Sequence, residues 1–319
     1  RSSSAASDVY KRQHFKNMQE LKSKLVIGIS SRVLFDLKES HEVFEKYGVE
    51  EYRKYQVSNE NNLLEQGDGF NLVTKLLNIN NFSKNEKIVE VVLLSRNTAD
   101  TGLRIFNSIE EYGLDISKAV FCGGESPYRY VKAFDVNLFL SVNKNDVFEA
   151  IQRGVPAARI FPTNKKNNKK VDNTLRIAFD GDSVIFSDES EKIFHEKGIE
   201  AFLDNERSTD NPLKEGPIKP FLVELNKIQS LFDQDACPIR TALVTARSAP
   251  SHKRVIKTLR KWNVRIDESH FLGGMAKKEF LSSFMADIFF DDQEENITQA
   301  SDQVASGHVL YGIKNKRAE

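Results

Sequence analysis

The chain has 319 residues, with 46 basic and 46 acidic side chains and a formal net charge of zero. That length allows two ordinary domains, and 39% hydrophobic with 29% charged residues is the balance of a soluble globular protein. The charge balance gives no global attraction to nucleic acid or to an anionic membrane, no apolar run reaches a membrane span, and two cysteines cannot make a disulfide framework.

In chain order, "RSSSAASDVYKRQ" (1–13) shares nothing with the rest of the chain, and residues 1–23 are read as a disordered or non-native leader outside the fold. The first apolar run, "IGISSRVLFDLKES" (27–40), has the outline of a buried strand entering a charged loop, with no carboxylate at the strand tip. Cys122 and Cys237 lack metal-ligand spacing and read as buried thiols of a reducing, cytoplasmic setting. "TNKKNNKKVDNT" (163–174) is basic but has no aromatics, so it reads as a solvated linker rather than a nucleic-acid contact. Beyond it the first outline returns as "IAFDGDSVIFSDES" (177–190), now with Asp180 and Asp182 at the tip.

The return is systematic. At a constant offset of 150 residues Ile27 meets Ile177, Gly48 meets Gly198, Leu93 meets Leu243 and Arg104 meets Arg254. Phe121-Cys-Gly-Gly124 likewise meets Phe271-Leu-Gly-Gly274. A self-similarity this regular predicts an internal duplication, with domains at 24–162 and 175–313 and a tail at 314–319. In each copy short β-rich runs ("LRIAFD", "RTALVT", "DIFF" in the second) alternate with helical periodicity such as "HKRVIKTLRKW". The predicted fold class is therefore α/β: two tandem Rossmann-like domains, each a mostly parallel sheet with helices on both faces. Ligands of such sheets bind beyond the carboxyl ends of the strands.

The unusual residues of the second copy fall at those ends. Asp180 and Asp182 flank Gly181, where the backbone is expected to turn freely so that the two acids converge on a cation or share a proton. "LVTARS" sets the Thr245 hydroxyl and the Arg247 guanidinium beyond a strand, suited to phosphoryl oxygens. "GGMAKKEFL" offers Lys277 and Lys278 at a helix start, and "ADIFFDDQ" ends on Asp291 and Asp292, hard oxygen ligands suited to Mg²⁺. Taken singly, each has a plainer reading: solvated acids, a β-branched strand residue, surface lysines. The six histidines are scattered without metal spacing.

Taken in order, Asp-x-Asp, Thr, Lys and Asp-Asp resemble the four motifs of the haloacid-dehalogenase superfamily of phosphatases. "FDGDSVIFSDE", "ALVTARSAP" and "FLGGMAKKEFL" bring the chain closer to the cytosolic 5′-nucleotidase I family, over roughly residues 24 to 312. That resemblance implies haloacid-dehalogenase-type domains and hydrolysis of a nucleoside 5′-monophosphate through an aspartyl-phosphate. Asp180 would be the nucleophile and Asp182 the acid and base. Mg²⁺ would be held by Asp180, by Asp182 through its backbone carbonyl, and by Asp291 or Asp292; Thr245 and a lysine, Lys277 favoured over Lys278, would cradle the phosphoryl group. It also implies that residues of about 187–240, between the first two motifs, form a cap over the site. Asn211, Lys219, Arg247 and Lys278 are the candidate substrate contacts.

Two alternatives stand beside this reading: a phosphatase or phosphotransferase for another small phosphomonoester, and a nucleotide-binding regulator without turnover. The expected partner is a small nucleoside monophosphate, not a nucleic acid or a membrane; the oligomeric state is open, a homo-oligomer included. The first copy places Ser30, Arg32, Ser95, Pro127, Tyr128, Ser141 and Val142 where the second has Asp180, Asp182, Thr245, Lys277, Lys278, Asp291 and Asp292. It is expected to be a degenerate domain packed on the working one about a pseudo-twofold axis, with Arg32, Arg96 or Tyr128 as candidates to reach the substrate.

Overall fold

Ten short strands, most of them apolar and rich in β-branched or aromatic residues, build a single sheet. The structure, a computed structural model, describes residues 24–83, 86–163 and 172–315. The leader, most of the linker and residues 316–319 lie outside the described residues. In the first half the strands are β1 (Leu25–Ile29), β2 (Val89–Ser95), β3 (Lys118–Phe121), β4 (Leu138–Ser141) and β5 (Ala157–Phe161). In the second they are β6 (Leu175–Phe179), β7 (Ile239–Thr245), β8 (Glu268–Phe271), β9 (Ile288–Asp291) and β10 (Ala305–His308).

Their order is β8-β7-β6-β9-β10-β5-β4-β1-β2-β3, which reads the same from either edge when each strand is exchanged for its counterpart in the other half. Among the described strands of this sheet, pairing is parallel within each half and antiparallel where β5 meets β10. The register there matters for the site. Asp291 pairs with His308, His308 with Arg159, and Arg159 with Ser141. The carboxyl ends of β9 and β4 therefore lie in one row across the middle of the sheet.

Helices cover both sides of this sheet, as parallel strands buried on both faces require. Among the described residues they include α1 (Lys38–Ser58), α2 (Phe70–Asn78), α3 (Ala99–Glu111), α4 (Lys144–Gln152), α5 (Glu189–Ser208), α6 (Lys219–Gln229), α7 (His252–Lys261), α8 (Lys278–Phe284) and α9 (Glu294–Ser301). Strand alternation sorts the core: Ile288 and Phe290 join an apolar cluster that runs through both halves, while Phe289 joins a second cluster on the other side. Each fully buried phenylalanine of this kind contributes about 1.5–3 kcal/mol. Cys237 is a buried free thiol, and Cys122 a half-buried one.

The stretch 187–240 divides in two. α6 turns Phe221, Leu222, Leu225 and Ile228 into the core and packs as a crossover helix, with Phe221 against Phe179. α5 stands off instead; its buried residues are Ser190 and Glu206, and Phe194 and Ile199 are exposed. It bends at Gly198 (φ 82°, ψ −179°), as α1 bends at Gly48 (φ 83°, ψ −173°).

Candidate active site

β6 ends on Phe179, and the Asp180 N–H donates to the Phe290 carbonyl (2.8 Å), which ties the loop to β9. A single wide turn comes next, closed by the Phe186 N–H donating to the Gly181 carbonyl (2.9 Å). The sequence assigns Gly181 to backbone freedom; the structure gives it another reason. Its φ is not positive, and a Cβ at this position would lie 3.1 Å from Thr245 Oγ1. Glycine here makes room for β7. The left-handed residue of the turn is Ser183 (φ 61°), whose Oγ donates to Glu191 Oε2 at 2.8 Å.

Asp180, Asp291 and Asp292 converge, all buried, with carboxylate oxygens within 4.8 Å of one another. One ammonium answers them. Lys277 Nζ lies 2.6 Å from Asp291 Oδ2 and 2.8 Å from Asp180 Oδ1. Asp291 is satisfied further by the Gln293 N–H (2.8 Å) and by Asn296 Nδ2 (3.1 and 3.2 Å). Asp292 has its carbonyl fixed by Asn315 Nδ2 (2.7 Å) and His308 Nε2 (2.9 Å), but both oxygens of its carboxylate are buried without a hydrogen-bond partner.

The electrostatics follow from burial and like charge. Burial first, then the neighbouring Asp291, raise the Asp180 carboxyl to about 7, with Lys277 acting against the rise. Burial, then Asp291 and Asp180, push Asp292 up to about 10. Burial opposes the charge on Lys277, but Asp180 and Asp291 outweigh it and hold the ammonium above its ordinary range. Two orphaned oxygens on a buried acid, within reach of two more carboxylates, fit a hard divalent cation.

Asp182 points away from that cluster. Both its oxygens are held by Arg247, through Nε and Nη2 at 2.7 Å each. Arg247 Nη1 donates to Glu206 Oε2 (2.7 Å), and the guanidinium lies over the Phe202 ring at 5.4 Å. Burial works against this charge too, and Asp182 and Glu206 together raise the Arg247 pKa. Glu206 comes from α5 and also accepts from Arg254 Nη1 (2.8 Å) and Ser190 Oγ (3.0 Å). Thr245 is buried at the end of β7, with its Oγ1 accepting from the Arg247 N–H (3.3 Å).

Asp180, Thr245, Lys277, Asp291 and Asp292 thus come together with Asp182 and Arg247 beside them. The other three sequence candidates bond elsewhere. Lys278 donates to Asp302 (3.0 Å), and Lys219 donates to Glu215 (2.9 Å) and sits over Trp262. Asn211 is exposed and its carbonyl accepts from Arg254 Nε (2.8 Å). In the first half Arg32 meets His41, Arg96 pairs with Asp146, and Tyr128 accepts from Arg153, so each is engaged within its own half. Sequence reasoning missed Glu206, Asn296, His308 and Asn315. Two of them left a signal at the repeat offset: Glu206 faces Gln56, an acid opposite an amide, and Asn296 faces Asp146, an amide opposite an acid.

Comparison with known proteins points to a family. A family model described as 5′-nucleotidase matches residues 17–316. Over 306 residues the chain is 38% identical to the human protein cytosolic 5′-nucleotidase 1B, covering 92% of this chain and 50% of that protein. The chain therefore spans about half the length of the curated relative it matches. No solved structure matches it.

Proposed function

The chain belongs to the 5′-nucleotidase family, and from that premise we propose that it hydrolyses nucleoside 5′-monophosphates to nucleoside and phosphate, with Asp180 as nucleophile. The observation that carries this reading is the buried convergence of Asp180, Lys277, Asp291 and Asp292 at adjacent strand ends, with Asp182 one residue beyond the turn glycine.

An Asp180 oxygen attacks phosphorus; its new bond to phosphorus forms as the bond to the 5′ oxygen breaks. The electron pair leaves on the 5′ oxygen, which takes a proton from Asp182. Water then attacks the aspartyl-phosphate, gives its proton back to Asp182, and releases phosphate with the Asp180 carboxylate restored. Lys277 and the Thr245 hydroxyl hold phosphoryl oxygens in both steps, and Lys277 keeps its charge through the whole cycle. Asp180, Asp291, Asp292 and the Asp182 carbonyl are the groups that would hold Mg²⁺. When bound, that ion offsets the phosphate charge that repels an anionic nucleophile.

The reach of α5 to Asp182 through Glu206 and Arg247 supports its role as the cap, a smaller one than residues 187–240. The palindromic strand order supports an origin by duplication, with the first half a degenerate partner whose strand ends carry Ser30, Arg32, Ser141 and Val142 in place of the acids.

The test is phosphate release from a panel of nucleoside monophosphates and sugar phosphates, with Mg²⁺ and with EDTA. Nucleoside monophosphates are expected to lead the panel, EDTA to abolish turnover, and Asp180→Asn to lower it at least about 1,000-fold. Turnover indifferent to EDTA would remove the metal assignment, and an active Asp180→Asn would remove the covalent step.

A further inference from the structure

The second half uses a buried acid where the first uses a buried amide. Glu206 and Gln56 occupy equivalent places on α5 and α1, and both are almost fully buried. Their surroundings repeat closely. Arg254 donates through Nη1 to Glu206 (2.8 Å) and through Nε to the Asn211 carbonyl (2.8 Å). Arg104 donates through Nη1 to Gln56 (3.3 Å) and through Nε to the Asn62 carbonyl (2.9 Å). An amide is therefore sufficient to hold this arginine and to close this part of the fold.

The difference lies on the other side of the side chain. The Gln56 amide nitrogen donates to the Tyr52 hydroxyl at 3.0 Å. In the second half Tyr52 is replaced by Phe202, which has no hydroxyl, and the Arg247 guanidinium lies over that ring. Glu206 turns its second oxygen to Arg247, and Arg247 donates through Nε and Nη2 to Asp182. The first half has no such chain to hold: Asn97 and Arg32 stand where Arg247 and Asp182 are. A buried carboxylate is costly unless paired, and the fold alone does not ask for one here. Its charge is present where Arg247 and Asp182 are present.

We infer that Glu206 is a positioning residue for the reaction: by anchoring Arg247 on the α5 side, it fixes the Asp182 carboxyl group at the place from which its protonated form gives a proton to the leaving oxygen. The inference rests on the reading of Asp182 as that proton donor. It assigns no substrate contact to Glu206.

Glu206→Gln separates this role from packing, because glutamine already occupies the equivalent place in the first half. One amide oxygen can accept from Arg254, but its nitrogen then faces the Arg247 guanidinium with nothing to donate to. Adding Phe202→Tyr supplies the hydroxyl that Gln56 uses, so the double variant reproduces the packing of the first half without restoring the anchor. The measurements are kcat/KM for a nucleoside 5′-monophosphate and for its 5′-thio analogue, with Tm alongside. The analogue has sulfur as the bridging atom, and its thiolate leaves without needing a proton.

Glu206→Gln is expected to lower kcat/KM for the oxygen-bridged substrate about 10–100-fold and for the thio analogue less than about 3-fold. The double variant is expected to regain Tm but not that activity. If both substrates lose activity equally, if neither does, or if activity returns with Tm, Glu206 is a packing residue and the inference is overturned. Asp182→Asn is the reference. It should show the same selective loss at larger amplitude, and if it does not, the proton-donor reading itself fails, whatever Glu206 does.

Discussion

Burial and like charge set the Asp292 carboxyl at about 10 and the Asp180 carboxyl at about 7, against about 4 for an aspartate in an unfolded chain. Both shifts are upward, so the folded chain binds these protons more tightly than the unfolded one. The stability they contribute is present at low pH and is lost as pH rises, through about 7 for Asp180 and toward about 10 for Asp292. In EDTA the Tm should therefore fall between about pH 5 and about pH 8, and Mg²⁺ should flatten that slope as it takes the place of the protons. A slope that is the same with and without Mg²⁺ would show that the three acids do not share an ion. At this scale the sequence was legible in part. An acid, a hydroxyl or a lysine at a strand end is visible in the residue string, because apolar runs mark where strands stop. Which neighbour turns inward is not: Lys277 and Lys278 differ by the phase of one residue at the start of α8, and tertiary packing sets that phase. Nothing in the string shows that Asp182 and Glu206 reach Arg247 from 65 and 41 residues away.

Among the elements, α5 and α1 share one unusual feature. Gly198 and Gly48 hold φ near 80° with ψ near 180° (82° and −179°, 83° and −173°), a backbone region that other residues almost never enter. A Cβ at either position would meet nothing within 4 Å, so the requirement is conformational and not steric. Gly198→Ala is expected to cost about 1–3 kcal/mol of stability, and Gly48→Ala a similar amount, both read from denaturant midpoints. A neutral Gly198→Ala would mean that the bend relaxes freely. The strands were the most legible elements, since their apolar runs recur at one offset in both halves. The division of 187–240 was not. α6 has a buried apolar face and α5 scarcely any, but both read as helices in a long insertion, and only packing separates the crossover from the projecting arm.

For the whole molecule, a buried ion pair joins the two halves. Lys75 on α2 donates to both oxygens of Asp287 (2.8 and 2.9 Å) just before β9, and to the Thr174 carbonyl (2.9 Å). Both side chains are nearly inaccessible, so Lys75→Ala leaves a buried aspartate short of its cation and is expected to cost about 3–5 kcal/mol. Urea unfolding should report that loss as a lower midpoint with an unchanged slope; a shift under about 1 kcal/mol would mean that the halves do not depend on this contact. The likeness of the two halves was legible from the repeat, but their union in a single sheet was not. The antiparallel pairing of β5 with β10 depends on backbone edges, and these leave no periodic trace in side chains. That seam has a genetic consequence on the duplication reading. In a symmetric dimer of identical chains every substitution is made twice, so a change that disables one site disables both. Fusing the copies across β5 and β10 removes that constraint. One set of strand ends could then drift to Ser30, Arg32, Ser141 and Val142 while the other kept its acids, and the drifted copy still supplied half of a continuous sheet.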